Sequence, residues 1–506
     1  MKEWTSEERY TELSEERLDE LRELHEASKQ SRWCSAYHVQ PVTGLMGDIN
    51  GFSLFKDRWH LFFQWFPYGP VHGLKHWYHV SSDDLLHWEN EGAGIIPGDY
   101  ADNKGAFSGS GFAEGDTLYL PYTGNRRDEN WVRHPYQLLA MMDTEGNIIK
   151  QKEPLAAPLE EYTEHQRDPK LFYRKEDGYY YFLIGVQNHD KKGKFALFRS
   201  KEIQTGWEFA GELKIRGYED LGYMVECPDL ERAGDKWVLL FSPQGLEPKG
   251  DEFNNLYNNV YLIGDMDFDN LEFIPEGEMK ELDRGFDFYA AQCASQDKWP
   301  DKLVLGAWMG VSDYTYPPTA EEGYFGLQIM PRLLSIENGE LKQRPLPVME
   351  EIKKDKVFHT LHNETDILLK DGILPQACVI EARPEDKDLL LRLFTDKEDS
   401  GFLIKYDAET KYLVIDKSGL FHQTNTEYGT QRRVHLENGL QELEIFVDRS
   451  SIEIFVNDGE YVLTARIFPT ESETGFVYET EGEITVFTAE TTVRDDFVIF
   501  PWQKNQ

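Results

Sequence analysis

Gly51-Phe52-Ser53-Leu54-Phe55-Lys56-Asp57-Arg58-Trp59-His60-Leu61-Phe62-Phe63 is the stretch on which the fold turns. Two aromatic-rich apolar runs flank a short Lys56-Asp57 turn, which is the pattern of a β-hairpin. The same device recurs four times. Ser110-Gly111-Phe112 leads through Gly115-Asp116 to Leu118-Tyr119-Leu120, and Lys170-Leu171-Phe172-Tyr173 leads through Asp177-Gly178 to Tyr179-Tyr180-Tyr181-Phe182. Asp229-Leu230-Glu231 leads through Gly234-Asp235 to Trp237-Val238-Leu239-Leu240, and Gln292-Cys293-Ala294 through Pro300-Asp301 to Leu303-Val304-Leu305. Outer strand pairs follow several copies, as in Tyr78-His79-Val80 to Asp84 to Trp88. Two hairpins per repeat make a four-stranded blade, so the repeat predicts a five-bladed β-propeller.

Outward from the repeat, the pattern changes at both ends. Leu13, Leu18, Leu21 and Leu24 fall at helical spacing and predict one solvated N-terminal helix over Thr5 to Lys29, with a structural role. After Pro345 the repeat stops but strands continue. Leu443-Glu444-Ile445-Phe446 and Ser451-Ile452-Glu453-Ile454-Phe455 alternate with period two around Asp448-Arg449-Ser450. The expected organisation is all-β: a helical segment at 1–34, a propeller at 35–345 and a β-sandwich at 355–506.

Composition narrows the class of partner. Ninety-two acidic residues against 53 basic ones give a net charge of −39 over 506 residues. Such a field repels nucleic acid and anionic lipid, and an anionic substrate would need a local basic cluster. No apolar run approaches the ~20 residues of a membrane helix, and the opening thirty residues carry no secretory core. A cytoplasmic location is expected, as a monomer or homodimer. The scattered Cys34, Cys227, Cys293 and Cys378 suggest neither disulfides nor a zinc site. No cofactor or metal is expected: Asp265, Asp267, Asp269 and Glu276 have the acidic spacing of a calcium loop, but Asn270 replaces its turn glycine. The glycosylation triplet Asn363-Glu364-Thr365 has no meaning in a cytosolic chain.

Three acids stand out against this background. Asp48 precedes Asp57, Asp168 precedes Asp177, and Glu226 precedes Asp235, each by nine positions. Equal spacing predicts that one structural position in blades one, three and four presents all three at the mouth of the central channel. Like charges raise each other's pKa, as a general acid near neutral pH requires. Paired carboxylates, one ionised and one protonated, are the apparatus of glycoside hydrolysis. Chance is the competing reading, since turn acids are common in so acidic a chain. Nearby Asn50, Gln64, Trp77, Phe107, Ser108, Arg167, Tyr289 and Trp308 supply the amides, guanidinium and aromatic faces of a sugar site. Cys227 beside Glu226 lacks a paired base and reads as packing.

At these residues the chain resembles glycoside hydrolase family 32, the invertases, levanases and sucrose-6-phosphate hydrolases. Leu45-Met46-Gly47-Asp48-Ile49-Asn50-Gly51 resembles the nucleophile motif, Phe107-Ser108-Gly109-Ser110 a substrate-contact motif, and Arg167-Asp168-Pro169 the transition-state-stabiliser motif. Glu226-Cys227-Pro228-Asp229 resembles the acid/base motif, and Val447-Asp448-Arg449-Ser450-Ser451 with Arg466-Ile467-Phe468-Pro469 resembles the family's C-terminal unit. His72-Gly73-Leu74-Lys75-His76-Trp77, Tyr162-Thr163-Glu164-His165 and Phe286-Asp287-Phe288-Tyr289-Ala290 look most like the intracellular sucrose-6-phosphate hydrolases.

The resemblance implies a retaining β-fructofuranosidase in which Asp48 is the nucleophile, Glu226 the acid/base, and Asp168, braced by Arg167, the stabiliser. Leu45, Met46, Gly47 and the neighbours above would bind a small sugar. Lys75, Arg126, Arg127, Arg133, His72 and His76 are candidates for a 6-phosphate. Gly47 and Ile49 depart from the family's Asn-Asp-Pro-Asn, which predicts a lost hydroxyl contact and a looser turn. The alternatives are a fructan-degrading enzyme or fructosyltransferase, an inverting arabinan-type enzyme, and an inactive sugar-binding propeller.

Overall fold

The structure, a computed structural model, describes residues 2–310, 316–360, 373–397, 400–493 and 496–505; the triplet at Asn363 lies outside them. Strand Gly44–Phe55 pairs antiparallel with Arg58–Phe66, and Lys56 and Asp57 take φ of 51° and 61° between them. Those left-handed values let a two-residue loop follow the twist of its strands. His76–Ser82 and Trp88–Ile95 complete blade I. Blade II is built from Ala106–Gly109, Phe112–Glu114, Thr117–Arg127, Arg133–Met142 and Ile148–Lys150. Blade III comprises Tyr162–Arg174, Tyr179–Asn188, Gly193–Ser200 and Glu208–Ile215, and blade IV Met224–Ala233, Lys236–Gln244, Val260–Asp267 and Glu272–Pro275. Tyr289–Cys293, Leu303–Trp308, Arg332–Glu337 and Glu340–Pro345 make blade V.

The first strand of each blade is innermost, and these strands are neighbours in sequence order around the ring. At the seam, Leu54 N donates to Ser295 O at 2.8 Å and Ser295 N to Phe52 O at 2.9 Å, which ties blade I to blade V. Inner strands approach so closely that a Cβ at Gly111 would lie 2.8 Å from the Gly51 carbonyl oxygen. Below the acids the axis is filled. Lys170 of blade III donates to Cys293 O of blade V at 2.9 Å, and Gln292 of blade V to Gly109 O of blade II at 2.9 Å. Neither pair belongs to adjacent blades, so both bonds cross the axis. Asp229, 3.1 Å from the buried Lys170 ammonium, compensates its charge.

After blade V, a six-stranded sheet runs in the order Lys353–Thr360, Glu483–Ala489, Ala377–Arg383, Leu443–Asp448, Ser451–Val456, Tyr461–Arg466. It faces a five-stranded sheet of Gln431–His435, Tyr412–Gly419, Gly401–Asp407, Leu389–Thr395 and Gly475–Thr480. Residues such as Ile380, Ile404, Ile445 and Leu463 fill the sandwich.

A buried ionic network joins the two units. Arg332 of blade V donates to Asp283 at 3.0 Å and to Glu453 of the sandwich at 2.7 Å. His38 sits between Asp448 at 2.8 Å and Glu453 at 3.0 Å. Asp448, which reads in the sequence as a hairpin residue, also accepts from Ser35 Oγ at 2.6 Å and Ala36 N at 2.7 Å.

The N-terminal segment differs from the single helix expected. It forms a helix at Ser6–Arg9, a 3-10 turn at Glu15–Arg17 and a helix at Leu18–Lys29. Thr5 caps the first helix in a reciprocal capping box with Glu8, and the chain then breaks before Ser14 caps the turn. The C-terminal residues return to blade I, where Ala93 N donates to Ile499 O at 2.8 Å and the Tyr78 hydroxyl to Val498 O at 2.6 Å. Among the described residues no helix is long and apolar enough to cross a membrane.

Candidate active site

Each inner strand is irregular near its upper end, and those irregularities aim the acids. Asp168 occupies the bulge of its strand with φ 69°, Glu226 immediately precedes the bulge at Cys227 with φ 46°, and Asp48 lies in the irregularity between Met46 and Ile49. A bulge turns its side chain out of the strand's alternation. The nine-residue spacing marks one position only in blades I and IV, where a two-residue turn follows the strand. Asp168 lies one residue nearer its turn, and blade III restores the count by turning through the four residues 175–178. The three acids nevertheless share one cavity of about 740 Å³.

Gln64, Phe107 and Arg167 line that cavity with the acids, as do Lys75, His72 and Arg133. Ser108 donates to Asp48 Oδ2 at 2.6 Å and receives Gln64 Nε2 at 2.6 Å, so this relay fixes the Asp48 carboxylate. Asn50 braces the strand, giving Nδ2 to Asp48 O at 3.2 Å and accepting Gly109 N at 3.0 Å.

Arg167 binds a different acid from the one expected. Its Nε and Nη2 donate to Glu226 Oε1 at 2.9 and 2.6 Å, and its Nη1 lies 3.1 Å from His165 Nδ1. The other Glu226 oxygen accepts the Tyr289 hydroxyl and, at 2.8 Å, Gln244 Nε2. Asp168 accepts Cys227 N at 2.9 Å and gives its own N–H to Thr123 Oγ1 at 3.0 Å.

Other expected contacts lie elsewhere. Trp77 and Trp308 are fully buried in the core, with the Trp77 indole donating to Phe107 O at 2.9 Å. Leu45 and Met46 are buried in the blade I ladder opposite Phe66 and Trp65, and Gly47 offers its carbonyl to Gln328 at 3.1 Å. Ile49 does not loosen its turn. It is buried in the ladder opposite Phe63 and packs towards Gly306. Arg126 stacks on Tyr100, Arg127 donates to Trp131 O at 2.8 Å, and His76 is buried on Leu74 O at 2.9 Å, all away from the cavity lining. Asp267 accepts the Asp269 and Asn270 amides at 3.0 Å, closing the blade IV turn.

The cavity also contains residues the sequence reading missed: Arg9 and Tyr10 from the N-terminal segment, and Lys104, Asn125 and Tyr316. The lining holds five cations, Arg9, Lys75, Lys104, Arg133 and Arg167, against three carboxylates. In a chain of net charge −39 this is the local basic cluster that an anionic ligand demands.

Burial raises the Asp48 carboxyl, with Lys75 and Ser108 opposing it, and carries Asp168 up to about 7 against the pull of Arg167. At Glu226 burial pushes upward too, but Arg167, Tyr289 and Lys75 together hold the group below its ordinary value. These opposite shifts favour a proton on Asp168 over one on Glu226 in the free pocket.

The sequence profile of the glycosyl hydrolases family 32 N-terminal domain matches residues 38–345. The chain belongs to glycoside hydrolase family 32. The profile of the family 32 C-terminal domain matches residues 354–495, which contain the sandwich strands. Among curated relatives, the sucrose-6-phosphate hydrolase of Staphylococcus xylosus is 38% identical over 493 residues, covering 95% of this chain and 97% of its own. That of Bacillus subtilis is 36% identical, with 86% and 88% covered. Among solved structures, sucrose-6-phosphate hydrolase from Lactobacillus gasseri superposes with a TM-score of 0.89 at 33% identity, covering 97% of this chain and all of that one. The family 32 β-fructofuranosidase of Bombyx mori gives 0.81 at 30% identity, with 95% and 100% covered. The family 32 assignment thus spans both the propeller and the sandwich.

Proposed function

We propose that this chain is a retaining β-fructofuranosidase whose preferred substrate is sucrose 6-phosphate, with unphosphorylated sucrose a poorer one. The single observation that carries the reading is one cavity holding three carboxylates beside a surplus of cations in a strongly acidic protein. The acids match the chemistry of glycosidic cleavage, and the cations match a phosphorylated sugar. The relatives' names point the same way.

In this reading Asp48 attacks the anomeric C2 of the fructosyl unit while Glu226 protonates the departing glycosidic oxygen. The C2–O bond breaks, a fructosyl ester forms on Asp48, and glucose 6-phosphate leaves. Glu226 then takes a proton from water, whose oxygen attacks C2 and frees Asp48, so fructose is released with retained configuration. The Ser108–Gln64 relay orients Asp48 for its attack. Asp168, fixed by Cys227 N, receives the ring hydroxyls of the oxocarbenium-like transition state.

Glu226 must be protonated to act as the acid, although in the free pocket its partners favour the ionised form. A sugar hydroxyl that draws Arg167 or Tyr289 away raises its pKa. Tyr289→Phe removes one stabilising donor from ionised Glu226, so its pKa rises and the acid stays protonated to higher pH. The alkaline limb of the kcat/KM profile is expected to move upward. A limb that stays in place or moves downward refutes the Tyr289–Glu226 coupling.

The substrate is tested by incubating purified protein with sucrose and with sucrose 6-phosphate and identifying the sugars formed. The phosphorylated substrate should give the higher kcat/KM, and its advantage should shrink as salt screens the cations. Equal values at every salt concentration contradict the phosphate preference.

A further inference from the structure

Residues 1–37 lie outside the parts of the chain matched by the two family profiles, yet Arg9 and Tyr10 line the same cavity as the catalytic acids. The segment is fastened in place. Leu74 N donates to Arg9 O at 2.6 Å, and Arg9 Nη1 to His72 O at 3.2 Å. Trp4 covers Gly69 so closely that a Cβ there would come within 2.1 Å of the indole. Tyr10 meets Trp131 of blade II's loop edge-on, with ring centroids 5.2 Å apart. Lys104 Nζ stands 5.6 Å from the Tyr10 ring and 5.9 Å from the Trp131 ring. The N-terminal segment and blade II therefore form one continuous wall.

The cations of the cavity fall into two tiers. Lys75 and Arg167 belong to the acids: Arg167 is bonded to Glu226, and Lys75 feels Asp48, Glu226 and Asp168. Arg9, Lys104 and Arg133 are held in other ways. Arg9 donates to carbonyl oxygens, Lys104 faces aromatic rings, and Arg133 lies 5.5 Å from the Phe107 ring. Among the described residues the buried Arg133 Nε has no hydrogen-bond partner. Burial, with the Arg127 and Arg167 guanidiniums nearby, lowers the Arg133 pKa to about 10. An anion among these groups would supply the acceptor and relieve the repulsion.

We propose that residues 4–10 form the leaving-group wall of the active site, and that Arg9, with Arg133 and Lys104, binds the phosphate of the departing sugar. This rests on the reading of the substrate as sucrose 6-phosphate and extends it. The phosphate site is thereby assembled from the propeller and from a segment outside the family domain. Its three cations come from separate stretches of chain, which suits a tetrahedral dianion that takes donors from several directions.

The test uses the full-length protein with Arg9→Gln, which keeps a hydrogen-bond donor for the neighbouring carbonyls and removes the charge, and Arg133→Gln beside it. Each variant and the wild type are assayed for kcat/KM on sucrose 6-phosphate and on sucrose, and for inhibition of sucrose cleavage by inorganic phosphate. For Arg9→Gln the preference for the phosphorylated substrate is expected to fall roughly 10- to 100-fold, the size of a lost charge-assisted hydrogen bond. Inhibition by phosphate should weaken in parallel. If both substrates lose activity by the same factor, Arg9 is structural and the proposal fails. If neither changes while the wild type still prefers the phosphorylated sugar, the substrate reading stands and the assignment of Arg9 fails alone. If the wild type shows no such preference and phosphate does not inhibit it, the substrate reading has failed and the phosphate site falls with it.

Discussion

Asp48→Asn is expected to lower kcat by on the order of 10⁴-fold or more, with the folded structure and substrate affinity largely retained. The amide has the shape of the carboxylate and can still accept the Ser108 hydroxyl, which donates to Asp48 at 2.6 Å. It cannot form the fructosyl ester. Glu226→Gln should fail differently: it leaves the nucleophile intact, so an activated leaving group that needs no proton should still be displaced. Adding azide, which attacks C2 without a general base, should then restore turnover to Glu226→Gln and leave Asp48→Asn inactive. A loss of less than tenfold in Asp48→Asn, a barrier change of about 1.4 kcal/mol, would show that the nucleophile has been wrongly assigned.

The second large effect lies far from the chemistry. Arg332→Met should destabilise the protein by about 3–5 kcal/mol, the range seen when one member of a buried ionic group is removed. Arg332 is fully buried, and its loss leaves Asp283 without its buried cation and Glu453 with His38 alone. A fall in melting temperature on the order of 5–10 °C, with kcat unchanged at temperatures where the variant is folded, is the expected result. A melting temperature within a degree or so of wild type would mean that the network carries little of the contact between the two units.

The same network gives stability a direction in pH. Burial opposes the charge on His38, but Asp448 and Glu453 outweigh it and raise the imidazole from 6.5 to about 9. A group whose pKa rises on folding stabilises fully below its unfolded value and loses that contribution as pH climbs through the folded one. Thermal stability should therefore decline between about pH 6.5 and 9 by a component that His38→Gln removes. An unchanged slope in the variant would place the pH dependence elsewhere.

The comparison of sequence with structure follows the range of the interactions involved. The hairpins were legible because each depends on a few adjacent residues: apolar runs around a turn that tolerates positive φ, as at Lys56 and Asp57. The acids were found through their spacing, but the reason given for that spacing was incomplete. A bulge is a mismatch between two strands, so the positions of Asp168 and Glu226 depend on how many residues their partners contribute. Trp77 and Trp308 resembled sugar platforms because both faces of their blade strands are covered, and alternation then gives no direction. Arg9 was out of reach, since its cavity neighbours His72 and Lys104 lie far along the chain. Asp448 read as a simple turn residue for the same reason, its partners Ser35 and His38 being about four hundred residues away.

The bonds that Lys170 and Gln292 throw across the ring have a kinetic consequence. They stopper the propeller's bore beneath the acids, so passage straight through the ring is blocked. On the proposed mechanism substrate and products share the mouth on the acids' side: the first product would clear it before water reached an ester on Asp48, and fructose would depart before another substrate arrived. Fructose should therefore act as a competitive inhibitor at that doorway.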